Sequence, residues 1–224
     1  MLRMVGMFFV ILVLGCSTLG ASAPQGKESP AIVSPFPYPC SGPYKDQELS
    51  KEDISKELEA HKKWLADSKD PEGHKANFCG AKFPLRSNFE KADLRYAIFQ
   101  MAKLAGEQKG KIVGANFTGA RLNEAQLQGA NLSKADFSQT DLTKAGLDDA
   151  MLHDATFKNA DLREASLRRT MLYQAKFHEA KLHKANLQGV GLRDVEGLTQ
   201  SQINMACLDR NTILPKDLTR PAPC

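Results

Sequence analysis

A repeat of five residues runs through more than half of the chain and constrains its fold more than any other feature. From Phe117 to Leu192 every fifth residue is Leu or Phe, and two residues before each stands Ala, except at Thr140, Thr170 and Val190. Neither an α-helix nor a flat strand keeps a period of five on one side, because their side chains repeat every ~3.6 and ~2 residues. A chain that turns through about a right angle after each quintet does so. The pattern therefore predicts an all-β solenoid with one large and one small side chain inside per quintet.

The placement of phenylalanine indicates how many sides each coil has. Phe occupies the quintet centre at Phe117, Phe137, Phe157 and Phe177, whereas Leu fills the other centres up to residue 192. A spacing of twenty residues equals four quintets, so stacked coils place these rings in one interior column. The array also extends backwards through Ile112 to residue 78, with one extra residue between 83 and 89 and three between 104 and 112.

The quintets resemble the pentapeptide-repeat family, whose pattern is A-(D/N)-L-x-x. The run from Ala115 onwards, ANFTG-ARLNE-AQLQG-ANLSK-ADFSQ, carries the resemblance, which covers roughly residues 76–198. It implies a right-handed quadrilateral β-helix, and we expect short helical caps at both ends. The expected organisation is a signal peptide over 1–15, a lipid-anchored Pro-rich linker over 16–47, a capping helix within 48–75, the β-helix over 76–198, and a helical cap and tail over 199–224.

The first residues have the features of an export signal. Arg3 precedes an apolar run from Met4 to Leu14, which is shorter than the ~20 residues that a spanning helix needs. The run ends before Gly-Cys16, which resembles a bacterial lipobox, where the cysteine is lipidated and becomes the mature N-terminus. Cleavage after the A-x-A site ending at Ala23 is the alternative. We therefore expect a periplasmic-facing lipoprotein of the bacterial cell envelope or, alternatively, a soluble periplasmic protein.

The remaining cysteines fit a protein of an oxidising compartment, where disulfides persist. Cys40, Cys79, Cys207 and Cys224 allow three pairings. From their positions at the two ends of the repeat we favour Cys40–Cys79 and Cys207–Cys224. Zinc binding is the rival interpretation, but the chain has no C-x-x-C spacing, so we expect neither a metal site nor a cofactor.

The charge balance bears on possible partners. The chain has 30 basic and 26 acidic residues, and the segment from Ala115 to Leu198 has no net charge. Some members of the family that the quintets resemble mimic DNA and bind gyrase through a strongly acidic surface. Because this array is neutral, regulation of a topoisomerase is kept only as an alternative to a scaffold function. We do not expect nucleic-acid binding, because it usually requires a concentrated basic face.

The motifs of common enzymes are missing from the sequence. His178-Glu179 and His183 approximate the zinc-protease motif H-E-x-x-H, but the second histidine comes one residue too late. No G-x-S-x-G motif and no phosphate-binding glycine loop is present. A convex solenoid also offers no obvious cleft in which the pKa of a carboxyl group would shift. We therefore expect no catalytic residues and no enzyme activity.

Two outward-facing groups stand out in the later coils. One is a possible interaction face, formed by Met151, His153, Met171 and Tyr173, and the other a possible anion-binding rim, formed by Lys176, His178, Lys181, His183 and Lys184. Random surface drift is the alternative for the face, and an ordinary solvated rim is the alternative for the lysines and histidines. The sequence thus predicts a membrane-anchored scaffold that binds an unknown protein or another copy of itself. Binding of an anionic envelope glycan or lipid is a further alternative.

Overall fold

Isolated parallel β-bridges, repeated along the chain, form most of the β-structure. The computed structural model describes residues 40–108, 111–222 and 224, and within residues 107–113 only backbone is described. The regular elements are helix α1 (Lys51–Ala66), strands β1 (Gly106–Gln108) and β2 (Lys111–Val113), and helix α2 (Gln200–Met205). No helix in these ranges combines the length and apolar character needed to cross a bilayer. The predicted signal peptide and Cys16 lie outside the described residues.

Between residues 116 and 196 each bridge joins residues twenty positions apart, so one coil contains four quintets. On the first side, Phe117 N–H donates to the Asp136 carbonyl (2.7 Å), and Asp136 N–H donates to the Ala115 carbonyl (3.0 Å). The bridging residues define the four sides: Asn116, Asp136, Thr156, Lys176 and Glu196 on side 1, Arg121, Asp141, Asp161 and Lys181 on side 2, Gln126, Gly146, Ser166, Asn186 and Cys207 on side 3, and Asn131, Met151, Met171, Gly191 and Ile213 on side 4. The chain is therefore a four-sided parallel β-solenoid.

The interior contains the large and small side chains that the period predicts. Phe117, Phe137, Phe157 and Phe177 stack in one column, with ring centroids 5.0, 5.2 and 4.8 Å apart. The ring of Phe89 extends this column, 5.0 Å from that of Phe117. Burial of each such ring contributes roughly 1.5–3 kcal/mol to folding. The interior along this column is thus filled by the protein's own side chains.

The corners are tight turns with a left-handed residue. Ala120 N–H donates to the Phe117 carbonyl (2.9 Å), and Gly119, between them, has φ of 64°. This geometry is a type II turn, for which glycine is the favoured residue. The same corner position is nevertheless occupied by Glu124 (φ 56°), Lys134 (φ 57°) and Lys144 (φ 59°). These side chains carry a backbone strain of about 1–2 kcal/mol each.

An insertion interrupts the regular coils near the N-terminal end of the solenoid. The bridge between Asn88 and Asn116 spans twenty-eight residues, because Gly106–Gln108 and Lys111–Val113 pair as the antiparallel strands β1 and β2. The prediction that Ile112 is a quintet centre is therefore wrong, because Ile112 lies in β2 and pairs with Glu107. The earlier centres, from Leu104 back to Phe78, lie in bridged coils as expected. The coils continue on both sides of the hairpin, since Lys103 bridges to Asn131 before it and Asn116 bridges to Asn88 after it.

The N-terminal end of the solenoid is joined by residues that the sequence analysis assigned to the linker. Cys40 is disulfide-bonded to Cys79, with Cα atoms 5.6 Å apart. Leu49 N–H donates to the Lys82 carbonyl (2.9 Å), which continues the ladder of side 4. Residues 40–47 thus pack against the first coil, because the Tyr44 ring also covers Phe78. Helix α1 begins directly afterwards.

Helix α1 is positioned by a capping box and a buried histidine. The Ser50 hydroxyl accepts from Asp53 N–H, while the Asp53 carboxylate accepts from Ser50 N–H. His61 is fully buried, and its Nδ1 accepts a hydrogen bond from Ala76 N–H (3.1 Å). Burial lowers the pKa of His61, although the nearby Asp93 carboxylate opposes this shift. The neutral imidazole therefore belongs to the contact between α1 and the first coil.

The C-terminal segment folds back onto the last coils. In helix α2, the Gln202 side chain donates from Nε2 to the carbonyls of Phe177 (2.8 Å) and Ala180 (2.9 Å). Cys207 is bonded to Cys224, with Cα atoms 5.5 Å apart. The Arg220 guanidinium donates to the Thr212 carbonyl (2.6 Å). The tail that follows helix α2 is thereby held against the solenoid.

Replacing Lys144 by Gly is expected to raise the free energy of unfolding by about 0.5–1 kcal/mol. Glycine removes the left-handed strain at φ 59°, although it also adds entropy to the unfolded chain. Lys158→Gly is the matched control, because Lys158 is also exposed and directly precedes the corner residue Asn159, but has no positive φ itself. Urea titrations of both variants decide the point, and equal losses of stability would contradict the strain argument.

The stability of the protein is expected to fall between about pH 7 and pH 5 because of His61. The unfolded chain takes up a proton near pH 6.5, whereas the folded state with its lowered pKa does not, so acidification favours unfolding. Chemical denaturation at several pH values measures this slope. His61→Gln should flatten it, and His183→Gln, at an exposed position, should not. A slope unchanged by His61→Gln would disprove the assignment.

Candidate functional site

Side 4 carries the largest exposed apolar side chains of the repeat. Its ladder includes Met151, Met171, Gly191 and Ile213 at the C-terminal half. Met171, Tyr173 and Ile213 are 50%, 53% and 49% exposed. The predicted residues Met151, His153, Met171 and Tyr173 therefore lie together on one side, in adjacent coils. The N-terminal half of the same side is polar, with Glu48, Lys82, Lys103 and Asn131 in the ladder.

The backbone ladder of side 4 is open at one step. Between Met151 and Met171 it is closed, because Met171 N–H donates to Ala150 (3.0 Å) and Leu152 N–H to Met171 (2.8 Å). One coil further, no bridge joins Met171 to Gly191 among the described residues, and Gly191 N–H makes no backbone hydrogen bond there. The ladder closes again where Ile213 N–H donates to Val190 (2.9 Å).

The small inward positions explain where the ladder opens. Thr170 and Val190, one coil apart on side 4, replace the Ala that fills this position elsewhere. Two β-branched side chains stacked on each other need more room than two methyl groups. Because the interior is densely packed, the extra volume pushes the two backbone segments apart. Thr140, whose neighbours one coil away are Ala, leaves its ladder closed, since Asp161 N–H donates to the Thr140 carbonyl (2.9 Å).

A shallow notch lies at this opening. A Cβ atom added to Gly191 would meet nothing within 4 Å. The notch has a volume of about 210 Å³ and is lined by Tyr173, Arg193, Asp194 and Ile213. The sequence analysis did not identify Gly191 or Ile213 as site residues. The signal that could have found the notch is the pair Thr170 and Val190, which break the Ala pattern twenty residues apart.

The corners that flank side 4 carry charged side chains. On one corner, the Arg169 guanidinium contacts the Asp149 carboxylate (2.6 Å), and on the other, Lys134 Nζ lies 3.4 Å from the Asp154 carboxylate. In each pair the two side chains come from adjacent coils, and their opposite charges cancel. Asp194 follows on the second corner, and within the described part of the chain no cation lies within ion-pair distance of it.

The predicted anion-binding rim is spread over two sides and a corner. Lys176 and His178 lie on side 1, Lys181 and His183 on side 2, and Lys184 at the following corner, and all five are exposed. Lys176 Nζ lies 3.9 Å from Glu196, and Lys181 Nζ lies 3.8 Å from Asp161. A separate hollow of about 250 Å³ lies where Lys181 and His183 meet helix α2. The five basic groups therefore do not converge on one point.

Comparison with known proteins identifies the repeat. The family model "Pentapeptide repeats" matches eight copies over residues 74–106, 111–149 and 150–189, which is half of the chain. The chain belongs to the pentapeptide-repeat family. Proteins of this family fold as right-handed quadrilateral β-helices and are generally non-catalytic structural or interaction modules. A search of curated proteins gave no match.

Solved pentapeptide-repeat structures align with parts of the chain. One from the thylakoid lumen of Arabidopsis thaliana is 27% identical and aligns over 45% of this chain and 68% of its own, with a TM-score of 0.36. HetL, from the cyanobacterium Nostoc, is 23% identical over 64% and 74%, with a TM-score of 0.28. QnrB1, a plasmid-mediated fluoroquinolone resistance protein, is 17% identical over 58% and 83%, with a TM-score of 0.32. These alignments are similarities of fold.

Two of the partly buried carboxylates are held by hydrogen bonds within the coils. Partial burial acts to raise the pKa of Asp93 and of Asp141. Hydrogen bonds nevertheless bring both pKa values below the ordinary value, from Arg95 at Asp93 and from Thr143 at Asp141. Such carboxyl groups stay ionised at neutral pH and do not supply the raised pKa of a general acid. Among the described residues, no cluster of His, Cys, Asp or Glu could hold a metal ion.

Gly191 is expected to tolerate a side chain, whereas Gly114 is not. Gly191→Ala should change the free energy of unfolding by less than about 0.5 kcal/mol, because the added methyl group enters open space. Gly114→Ala should cost about 1–3 kcal/mol or more, because its Cβ would overlap the backbone of Lys134. Denaturant titrations compare the two. A large loss at Gly191 would mean that the notch is closed in solution.

Proposed function

We propose that this chain is a non-catalytic interaction module of the bacterial cell envelope that binds another protein through side 4. The observation that carries the proposal is the contiguous apolar strip beside the Gly191 notch, in which Met171, Tyr173 and Ile213 are exposed and Met151 is half-buried. Outward quintet positions in this array are otherwise mostly polar. Contiguous apolar surface rimmed by charges is typical of protein interaction sites.

The rigidity of the array suits it to binding. Each strand of side 4 is fixed by hydrogen bonds to the coils above and below, except at the one open step. Side chains held on such a scaffold lose little additional freedom when they contact a partner, which lowers the entropic cost of association. We propose that α1 and α2 act as end caps, which keep the stacked coils from joining other strands.

Export to the envelope is part of the proposal. The apolar run before Cys16 and the lipobox-like residues support lipidation, and cleavage after Ala23 would give a soluble periplasmic form. The two disulfide pairs, Cys40–Cys79 and Cys207–Cys224, fit an oxidising compartment.

The alternative functions find less support. A DNA-mimicking gyrase regulator needs an acidic surface, but cations face acids in adjacent coils, as in Arg169–Asp149 and Lys181–Asp161. Binding of an anionic glycan or lipid by the rim needs convergent cations. Two of the rim lysines are instead paired with carboxylates, and the five residues point from different sides.

A combined Met151→Ser, Met171→Ser and Tyr173→Ser variant is expected to lose its partner. The test is chemical crosslinking in native envelopes followed by affinity capture and mass spectrometry, with the recovered partner reduced at least about tenfold. Met205→Ser is the control, because Met205 is 54% exposed but lies on helix α2, away from side 4. An unchanged set of captured proteins would disprove the role of side 4.

A further inference from the structure

We propose that side 4 also binds side 4 of a second copy of this chain, in a two-fold, antiparallel side-by-side dimer. The inference rests on the proposed function, because it uses the same surface, but it specifies that the bound protein is a second copy of this chain. A closed two-fold contact repeats every interaction twice, so the surface must be complementary to itself. The charges along side 4 meet that condition in one orientation.

The two-fold axis lies along the strand direction, between the coils of Met151 and Met171. Such an axis reverses the order of the coils and keeps the position of each residue within its strand. Met151 therefore faces Met171 of the second copy, and His153 faces Tyr173. The apolar centre of the contact is made of two methionine pairs, whose flexible thioethers adapt well to each other and to the rings beside them.

The same operation matches the charged corners. Asp149 faces Arg169 of the second copy, and Arg169 faces Asp149, so the ion pair within each chain (2.6 Å) becomes part of an alternating cluster of four charges. Lys134 faces Asp194 of the second copy. This contact supplies the cation that Asp194 lacks among the described residues of its own chain. Four favourable oppositions thus surround the methionine centre.

Two other two-fold arrangements place like charges together. An axis through the coil of Met171 would bring Arg169 against itself. An axis parallel to the solenoid would reverse each strand and place Asp149 against Asp154. Charge complementarity fixes the register and orientation of a contact, because like-charge juxtaposition is costly. Of these three arrangements it favours the antiparallel one with the axis between Met151 and Met171, which is also the one that centres the contact on the two methionines.

The notch takes part in the same contact. Asn131 of the second copy faces Gly191, where no Cβ blocks the approach. The Oδ1 atom of Asn131 already accepts from Ser133 N–H and Oγ, so its Nδ2 group remains to donate to the open backbone at Gly191. The notch at the open step of the ladder thus accommodates one side chain of the second copy.

Sedimentation velocity of the full chain in mild detergent tests association. One side of a solenoid buries little area, so we expect a dissociation constant of about 10–100 μM, weakened by added salt. Lys134→Glu and Asp194→Lys should each weaken the dimer at least about tenfold, because each creates two like-charge contacts. Lys144→Glu is the matched control, with the same charge change at the same type of corner but off side 4.

Mixing the two weakened variants provides the decisive measurement. An equimolar mixture of Lys134→Glu and Asp194→Lys should form heterodimers with near-wild-type affinity, because every opposition in the heterodimer is again between unlike charges. A chain that remains monomeric up to about 1 mM, or a dimer that neither substitution weakens, or a mixture that does not associate, would overturn the proposal. If envelope partners are still lost with the side 4 triple variant, the proposed function stands without the dimer.

Discussion

The fold depends on a match between two spacings, that of the interior side chains and that of the backbone ladder. Parallel ladders hold successive coils ~4.8 Å apart, so each interior layer must fit within that height. Leu and Phe at the centres and Ala two residues before them satisfy this limit, and stacked rings at 4.8–5.2 Å show it directly. Where Thr170 and Val190 stack instead of two alanines, the ladder opens between Met171 and Gly191. The notch thus forms where the interior side chains no longer fit the coil spacing that holds the rest of the solenoid together.

The corners show the cost of keeping four sides. Non-glycine residues such as Lys144 adopt φ near 60° at most of them, although this conformation is strained. The strain is offset because each corner also has a hydrogen bond that closes the turn and a backbone hydrogen bond to the next coil, as at Glu124. The outward side chains are therefore held in regular columns, and a column differs from its neighbours only in its residues.

Function follows from those differences. Three sides present mixtures of charged and small polar residues, whereas side 4 changes along its length from Glu48, Lys82 and Lys103 to Met151, Met171 and Ile213. The basic rim predicted at Lys176 and Lys181 is divided between sides, and carboxylates lie beside both lysines. A surface that combines an apolar strip with self-complementary corners suits contact with protein better than contact with a small anion.

The sequence alone determined the solenoid, its four sides and the phenylalanine column, because the period of five is a local property that repeats without reference to distant residues. It also placed Met151, His153, Met171 and Tyr173 on one side. It could not show the hairpin at Gly106–Val113, where Ile112 imitates a quintet centre, nor that residues 40–47 join the first coil. Only the tertiary structure revealed the open step at Gly191 and the position of Ile213. Both depend on which residues stack across coils, and there the packing of Thr170 against Val190 decides whether the backbone can close.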